Sequence, residues 1–162
     1  DLLFSNAALQ WVPRHLDVME RLLRSLATGG VLAVQMPNNL DEPSHRLMAE
    51  AAAAGPWAAK LAAAGAARDP LPAPEDYYRR LKPFCAMLDL WQTTYCHPLR
   101  GTASIVDWLR TTGLRPYLAP LTPDEQSGFL AAYETRLVQA YPKLDGEMVL
   151  LRFPRFFLVA QI

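Results

Sequence analysis

Two arginines beside prolines have the chemistry to hold an anion: Arg115 in Leu-Arg-Pro and Arg155 in Phe-Pro-Arg. A guanidinium is a planar fork that grips a carboxylate through two parallel hydrogen bonds. Tyr95 and His97 stand two residues apart, so in an extended segment both leave the same side of the strand and can act jointly. Ser5-Asn6-Ala7-Ala8 follows a short apolar run, and small residues in such a turn let a ligand come close to the backbone. Each group has a plainer role as well. Arg155 suits an outward position at a strand bend, Arg115 a helix C-terminus, His97 a satisfied structural histidine and Asn6 a residue that only shapes a turn. His15 and His45 each stand near a helix start and read as structural. Cys85 and Cys96 have ten residues between them, with no CxxC and no histidine at zinc-ligand spacing from both, so they read as small hydrophobes and no metal is expected.

The elements that must position these residues can be read from periodicity. Leu2 to Phe4 is a short buried strand. Leu16, Met19, Leu22, Leu23 and Leu26 recur at helical steps and predict a helix over about 14–27, stopped by Gly29-Gly30. Val31 to Met36 is a second buried strand, ended by Pro37. Strand, helix, glycine turn and strand make a βαβ unit with two parallel neighbours. The alanine-rich stretch from Pro43 to Ala67 predicts two helical pieces broken at Gly55-Pro56. A proline-rich loop over 68–74 precedes a helical segment from Glu75 to Phe84, and Met87 to Tyr95 alternates as a third strand. Ser104 to Thr112 is a short helix closed by Gly113 and Pro116. Thr122-Pro123-Asp124-Glu125 is a capping box that opens a long helix to about Tyr141. After the Asp145-Gly146 turn, Met148 to Leu151 and Phe156 to Ala160 form a fourth strand, bent at Pro154. In an open α/β sheet ligands bind beyond the carboxyl ends of the strands, which selects Ser5, Asn6 and Ala7 after the first strand and Gln35 to Asn38 after the second.

The 162 residues suit one domain with a sizeable core, and 51% hydrophobic with 20% charged residues is ordinary globular usage. Sixteen basic and sixteen acidic residues leave no positive excess for a nucleic-acid partner. No apolar run reaches the length of a membrane helix, so no membrane partner is expected and the chain reads as cytoplasmic. It opens without Met, directly into an apolar strand, which reads as part of a longer protein. If that strand belongs inside a sheet, its free edge is expected to seek a partner, including a second copy.

Several strings together, Asn6-Ala7-Ala8-Leu9-Gln10-Trp11, Gly29 to Pro37, Trp91-Gln92-Thr93-Thr94-Tyr95, Gly113-Leu114-Arg115-Pro116 and Phe153-Pro154-Arg155, resemble the trans-aconitate 2-methyltransferase family. That family is one of the class I methyltransferases using S-adenosyl-L-methionine. The resemblance implies an α/β, Rossmann-like class I methyltransferase fold, of which this chain would be a single partial domain over 1–162. It would hold strands four to seven, in the order 4-5-7-6 with strand seven antiparallel, and a helical insertion over about 102–141. It implies S-adenosyl-L-methionine as cofactor, with Ser5, Asn6 and Ala7 against its methionine part. It implies a small carboxylate substrate near Gln10, Trp11, Gln35, Tyr95, His97, Arg115 and Arg155, with Trp108 and Tyr133 as lid or core of the inserted layer. The reaction implied is methyl transfer to a carboxylate oxygen of trans-aconitate, giving a methyl ester without a general base. The family's glycine-rich cofactor loop and its acidic ribose-binding residue are not among these residues, so these residues alone are expected to be inactive. Methylation of another small acid and a non-catalytic helical interaction module are the other readings, the latter marked by a large exposed apolar surface on the helices.

Overall fold

In the computed structural model, which describes residues 1–162, β1 (Leu2–Asn6) passes through a 3₁₀ turn (Leu9–Trp11) into α1 (His15–Ser25) and returns as β2 (Val31–Pro37). There follow α2 (Pro43–Ala54), α3 (Ala58–Ala63), α4 (Pro74–Leu81), β3 (Met87–Arg100), α5 (Gly101–Arg110), α6 (Arg115–Leu118), α7 (Pro123–Ala140) and β4 (Met148–Gln161). The four strands form one sheet in the order β1-β2-β4-β3. β1 runs parallel to β2, with Leu2 opposite Val31 and Asn6 opposite Gln35. β4 runs antiparallel to β2, with Val31 opposite Gln161 and Pro37 opposite Arg155. The expected order 4-5-7-6, with its one antiparallel strand, is the order found. No helix is long and apolar enough to cross a membrane.

Several boundaries differ from expectation. β1 continues through Asn6, so Ser5 and Asn6 are strand residues and the turn begins at Ala7, whose φ of 52° lies in the left-handed region. β3 does not stop at Tyr95 but runs to Arg100, because β4 continues alongside it; Ala86 N–H donates to Gln161 O, and Gly101 N–H to Glu147 O. Pro154 does not interrupt β4, which is continuous over its 14 residues. Proline lacks only a donor, and its carbonyl still accepts from Asn38 N–H at 3.0 Å. The short helix expected over 104–112 starts three residues earlier, at Gly101.

The chain gathers into two compact units. The first comprises 1–38, 69–95 and 154–162. One face of its sheet supplies Leu32, Val34 and Met36 from β2 and Phe156, Leu158 and Ala160 from β4, and these pack on Met19 and Leu23 of α1 and Tyr77 and Leu81 of α4. Leu88 and Leu90 of β3 join the same core, as their alternation with Asp89 and Trp91 predicts. His15 is buried against Tyr77, with 2.6 Å between Nε2 and the phenol oxygen. Burial holds the His15 pKa below its usual value, opposed by a hydrogen bond to the Val12 backbone. Arg80 of α4 reaches both Asp17 and Glu20 of α1.

The second unit comprises 39–68 and 96–153. Its core is α2, α3, α5 and α7 around Trp57, Phe129, Tyr133 and Leu137, together with Val149 and Leu151. Trp57 explains two glycines: a Cβ at Gly55 would lie 2.1 Å from its ring, and one at Gly128, inside α7, 3.0 Å from it. The indole N–H donates to Ala51 O at 2.9 Å. Tyr133 is core and not lid: it is fully buried and its hydroxyl donates to Ser44 O at 2.6 Å. The capping box forms as read, Glu125 N–H donating to Thr122 Oγ1 and Thr122 N–H to Glu125 Oε2. Lys60 bonds the same carboxylate at 2.7 Å and, with the cap, holds the Glu125 pKa down.

Candidate functional site

Two faces of the first unit's sheet divide the expected residues. Ser5 shares Leu3's side of β1, whereas Phe4 and Asn6 leave the opposite side. On that opposite side a cleft of about 260 Å³ is lined by Phe4, Asn6, Gln35, Trp91, Tyr95 and Arg155. Trp91 and Phe157 stack in it, ring centroids 5.0 Å apart and 4° between planes, giving the cleft an aromatic pair.

Register explains why the polar residues meet. Asn6 stands opposite Gln35 across the parallel pair, and Gln35 stands opposite Phe157 across the antiparallel one. Arg155 is therefore Gln35's diagonal neighbour, close enough for a long side chain to reach back. Its Nη1 donates to Gln35 Oε1 at 3.2 Å, and its guanidinium carbon lies 5.4 Å from the centroid of the Tyr95 ring. Gln35 is 5% exposed, and its Nε2 is buried without a hydrogen-bond partner. Such an orphan donor costs about 1–3 kcal/mol unless something fills it.

A second orphan lies at the turn after β1. Gln10 donates from Nε2 to Ala7 O at 2.8 Å, and Ala7 N–H donates to Gln35 O at 2.9 Å. A carbonyl can only accept, so this bond sets the Gln10 amide and leaves Oε1, also buried and without a partner, as an acceptor. The atom suits an ammonium or another donor. It is the wrong polarity for the carboxylate that Gln10 was expected to hold.

Trp11 ends the 3₁₀ turn and is 45% exposed, so it is not the core aromatic that its size suggests. His97 and Arg115 fall in the second unit. There His97 packs on the rings of Trp108, centroids 4.8 Å apart, and Phe153, at 6.2 Å. Arg115 begins the four-residue α6, not a helix C-terminus. In the same unit His45 approaches Ser44 Oγ through Nδ1 at 3.1 Å; burial, with the Arg68 charge adding to it, pushes its pKa down to about 4. The resemblance sets Gln35 and Arg155 around one substrate, but their direct contact was not legible, because their separation is 120 residues and depends on strand register. The stacked Trp91 and Phe157 pair was missed for the same reason. Large exposed apolar side chains lie on the sheet at Leu2, Phe4, Trp91 and Tyr95 and on the helices at Tyr78, Trp108 and Val138.

No family model matches the chain. Among curated proteins, a trans-aconitate 2-methyltransferase of Rhodopseudomonas palustris (strain BisA53) is 53% identical over 160 residues, 99% of this chain and 62% of that protein. Those of Rhizobium rhizogenes and Agrobacterium fabrum are 52% and 49% identical over the same shares. Among solved structures, Haemonchus contortus phosphoethanolamine N-methyltransferase 2, in complex with S-adenosyl-L-methionine, aligns with a TM-score of 0.42 and 13% identity, over 99% of this chain and 33% of that one. Along almost its whole length, then, the chain is similar to the trans-aconitate 2-methyltransferases, and it spans 62% of their length.

Proposed function

We propose that these residues form the acceptor side of a site for methyl transfer from S-adenosyl-L-methionine to a carboxylate oxygen of trans-aconitate or a similar small polycarboxylate, giving a methyl ester. The observation that carries the reading is the Arg155 guanidinium, drawn by Gln35 and Tyr95 into a cleft that holds a stacked aromatic pair and reaches Asn6 and Gln35, toward the carboxyl ends of β1 and β2. Support comes also from the relatives' printed name and their half-identity along the chain.

Arg155 supplies the charge that a polyanion requires and a fork that fixes the plane of one carboxylate. The stacked Trp91 and Phe157 rings give the unsaturated carbon chain an apolar neighbour. A carboxylate with an ordinary pKa near 4 is ionised at neutral pH, so no residue need act as base. What the residues must do is orient one oxygen and keep water from it. The buried Gln10 Oε1 fits the ammonium of the cofactor's methionine part, beside Asn6 and Ala7. When bound, the cofactor supplies an electrophilic methyl group on a sulfonium. Its glycine-rich loop is not among these residues, so the 162-residue chain is expected to hold the acceptor without turning it over.

Calorimetric titration with trans-aconitate and with its trimethyl ester tests the reading. Binding of the acid, weakened at least about tenfold in the ester and in Arg155→Met, is expected. Equal binding of acid and ester, or no loss in Arg155→Met, would overturn it.

A further inference from the structure

We infer that Gln35 is a specificity-determining residue that selects its ligand by hydrogen-bond polarity: its side-chain amide, held one way round by Arg155, offers Nε2 only to an acceptor oxygen. The inference rests on the carboxylate reading above and adds to it which atom reads the ligand. Arginine carries donors and no acceptor. With Nη1 at 3.2 Å from Gln35, the amide must turn Oε1 to the guanidinium, since the flipped form would set donor against donor. That leaves Nε2 fixed as a donor in a side chain that is 5% exposed, with no protein group to receive it. Gln35 lines the cleft together with Asn6, its partner across the strand pair, and Arg155.

An uncommitted amide can rotate to suit either a donor or an acceptor. This one cannot. A carboxylate or carbonyl oxygen fits Nε2, whereas an ammonium, or a carboxamide held with its NH₂ toward it, sets two donors face to face. The ligand class is therefore a small acid with two neighbouring oxygen groups, at least one of them a carboxylate. Arg155 holds one by charge, and Gln35 tests that the neighbouring group is an acceptor.

The test compares trans-aconitate with an analogue in which one carboxylate is a primary carboxamide, titrated into the 162-residue chain and two variants. The unmodified chain is expected to prefer the acid by tenfold or more. Gln35→Met keeps the side-chain length, removes the donor and should bind the acid about tenfold more weakly and narrow that preference, leaving the part that the Arg155 charge carries. Gln35→Glu sets a carboxylate against Arg155 and should lose the acid by about a hundredfold or more. If Gln35→Met binds and discriminates like the unmodified chain while Arg155→Met does not bind, the carboxylate reading stands and the role of Gln35 is overturned. If the unmodified chain binds neither ligand, the carboxylate reading falls and this inference with it. Should the variants fail to fold, the Gln35 side-chain amide in the unmodified protein still decides, since its nitrogen resonance must shift as trans-aconitate saturates the chain; an unmoved resonance overturns the proposal.

Discussion

Arg155, Gln35 and His45 show how differently single residues declare themselves. That an arginine beside a proline can hold a carboxylate follows from its type alone. That Arg155 meets Gln35 follows only from β4 pairing antiparallel to β2, a long-range choice to which local pattern is blind. His45 was legible only as a histidine near a helix start, because its burial and the nearby Arg68 charge arise in the folded second unit. Its pKa near 4 has a consequence for stability. Between the ordinary histidine value of about 6.5 and 4, the unfolded chain takes up a proton that native His45 refuses, so stability falls as pH drops through that window and is unaffected by this group above it. The loss is at most about 3 kcal/mol and, because His45 is partly exposed, is expected to be smaller. Chemical denaturation of the unmodified chain and His45→Gln at pH 7 and pH 5 should show a smaller drop in the variant. An equal drop in both would mean that other groups carry the acid sensitivity.

At the scale of elements, the strand, helix and strand that open the chain were plain from apolar periodicity, and the cap of α7 from four consecutive residues. Thr122→Ala removes the oxygen that accepts from Glu125 N–H and should cost about 1 kcal/mol, read as a lower unfolding midpoint with unchanged denaturant slope. Gly55 was legible only as a helix breaker, and Gly128 carried no signal at all. Gly55 does break the helix, but it also leaves room for the Trp57 ring, and Gly128 tolerates the interior of α7 for the same indole. Gly55→Ala would push a buried Trp out of place and should cost about 2–4 kcal/mol, well beyond what helix propensity gives. A change within about 0.5 kcal/mol would show that Trp57 has room to move. β3 was read as ending at Tyr95 instead of Arg100, and β4 as bent at Pro154 instead of continuous, because each strand's extent is set by the neighbour that runs beside it.

For the whole molecule, the sheet order was legible from the resemblance, while the partition into two compact units was not, because β3 and β4 each contribute to both. β1 lies at the edge of the sheet, with Leu2 64% and Phe4 70% exposed. An open edge beside apolar side chains predicts self-association of the 162-residue chain that grows with concentration. Light scattering should show it, and Phe4→Lys should reduce it; a monomer at every concentration would contradict this. Whether the cleft of the first unit, and not the histidine and arginine of the second, receives a polycarboxylate is tested most directly by a nitrogen and carbon resonance map of the chain titrated with trans-aconitate. Saturable shifts are expected at Asn6, Gln35, Tyr95 and Arg155. Shifts centred on His97 and Arg115, or none at all, would contradict that placement.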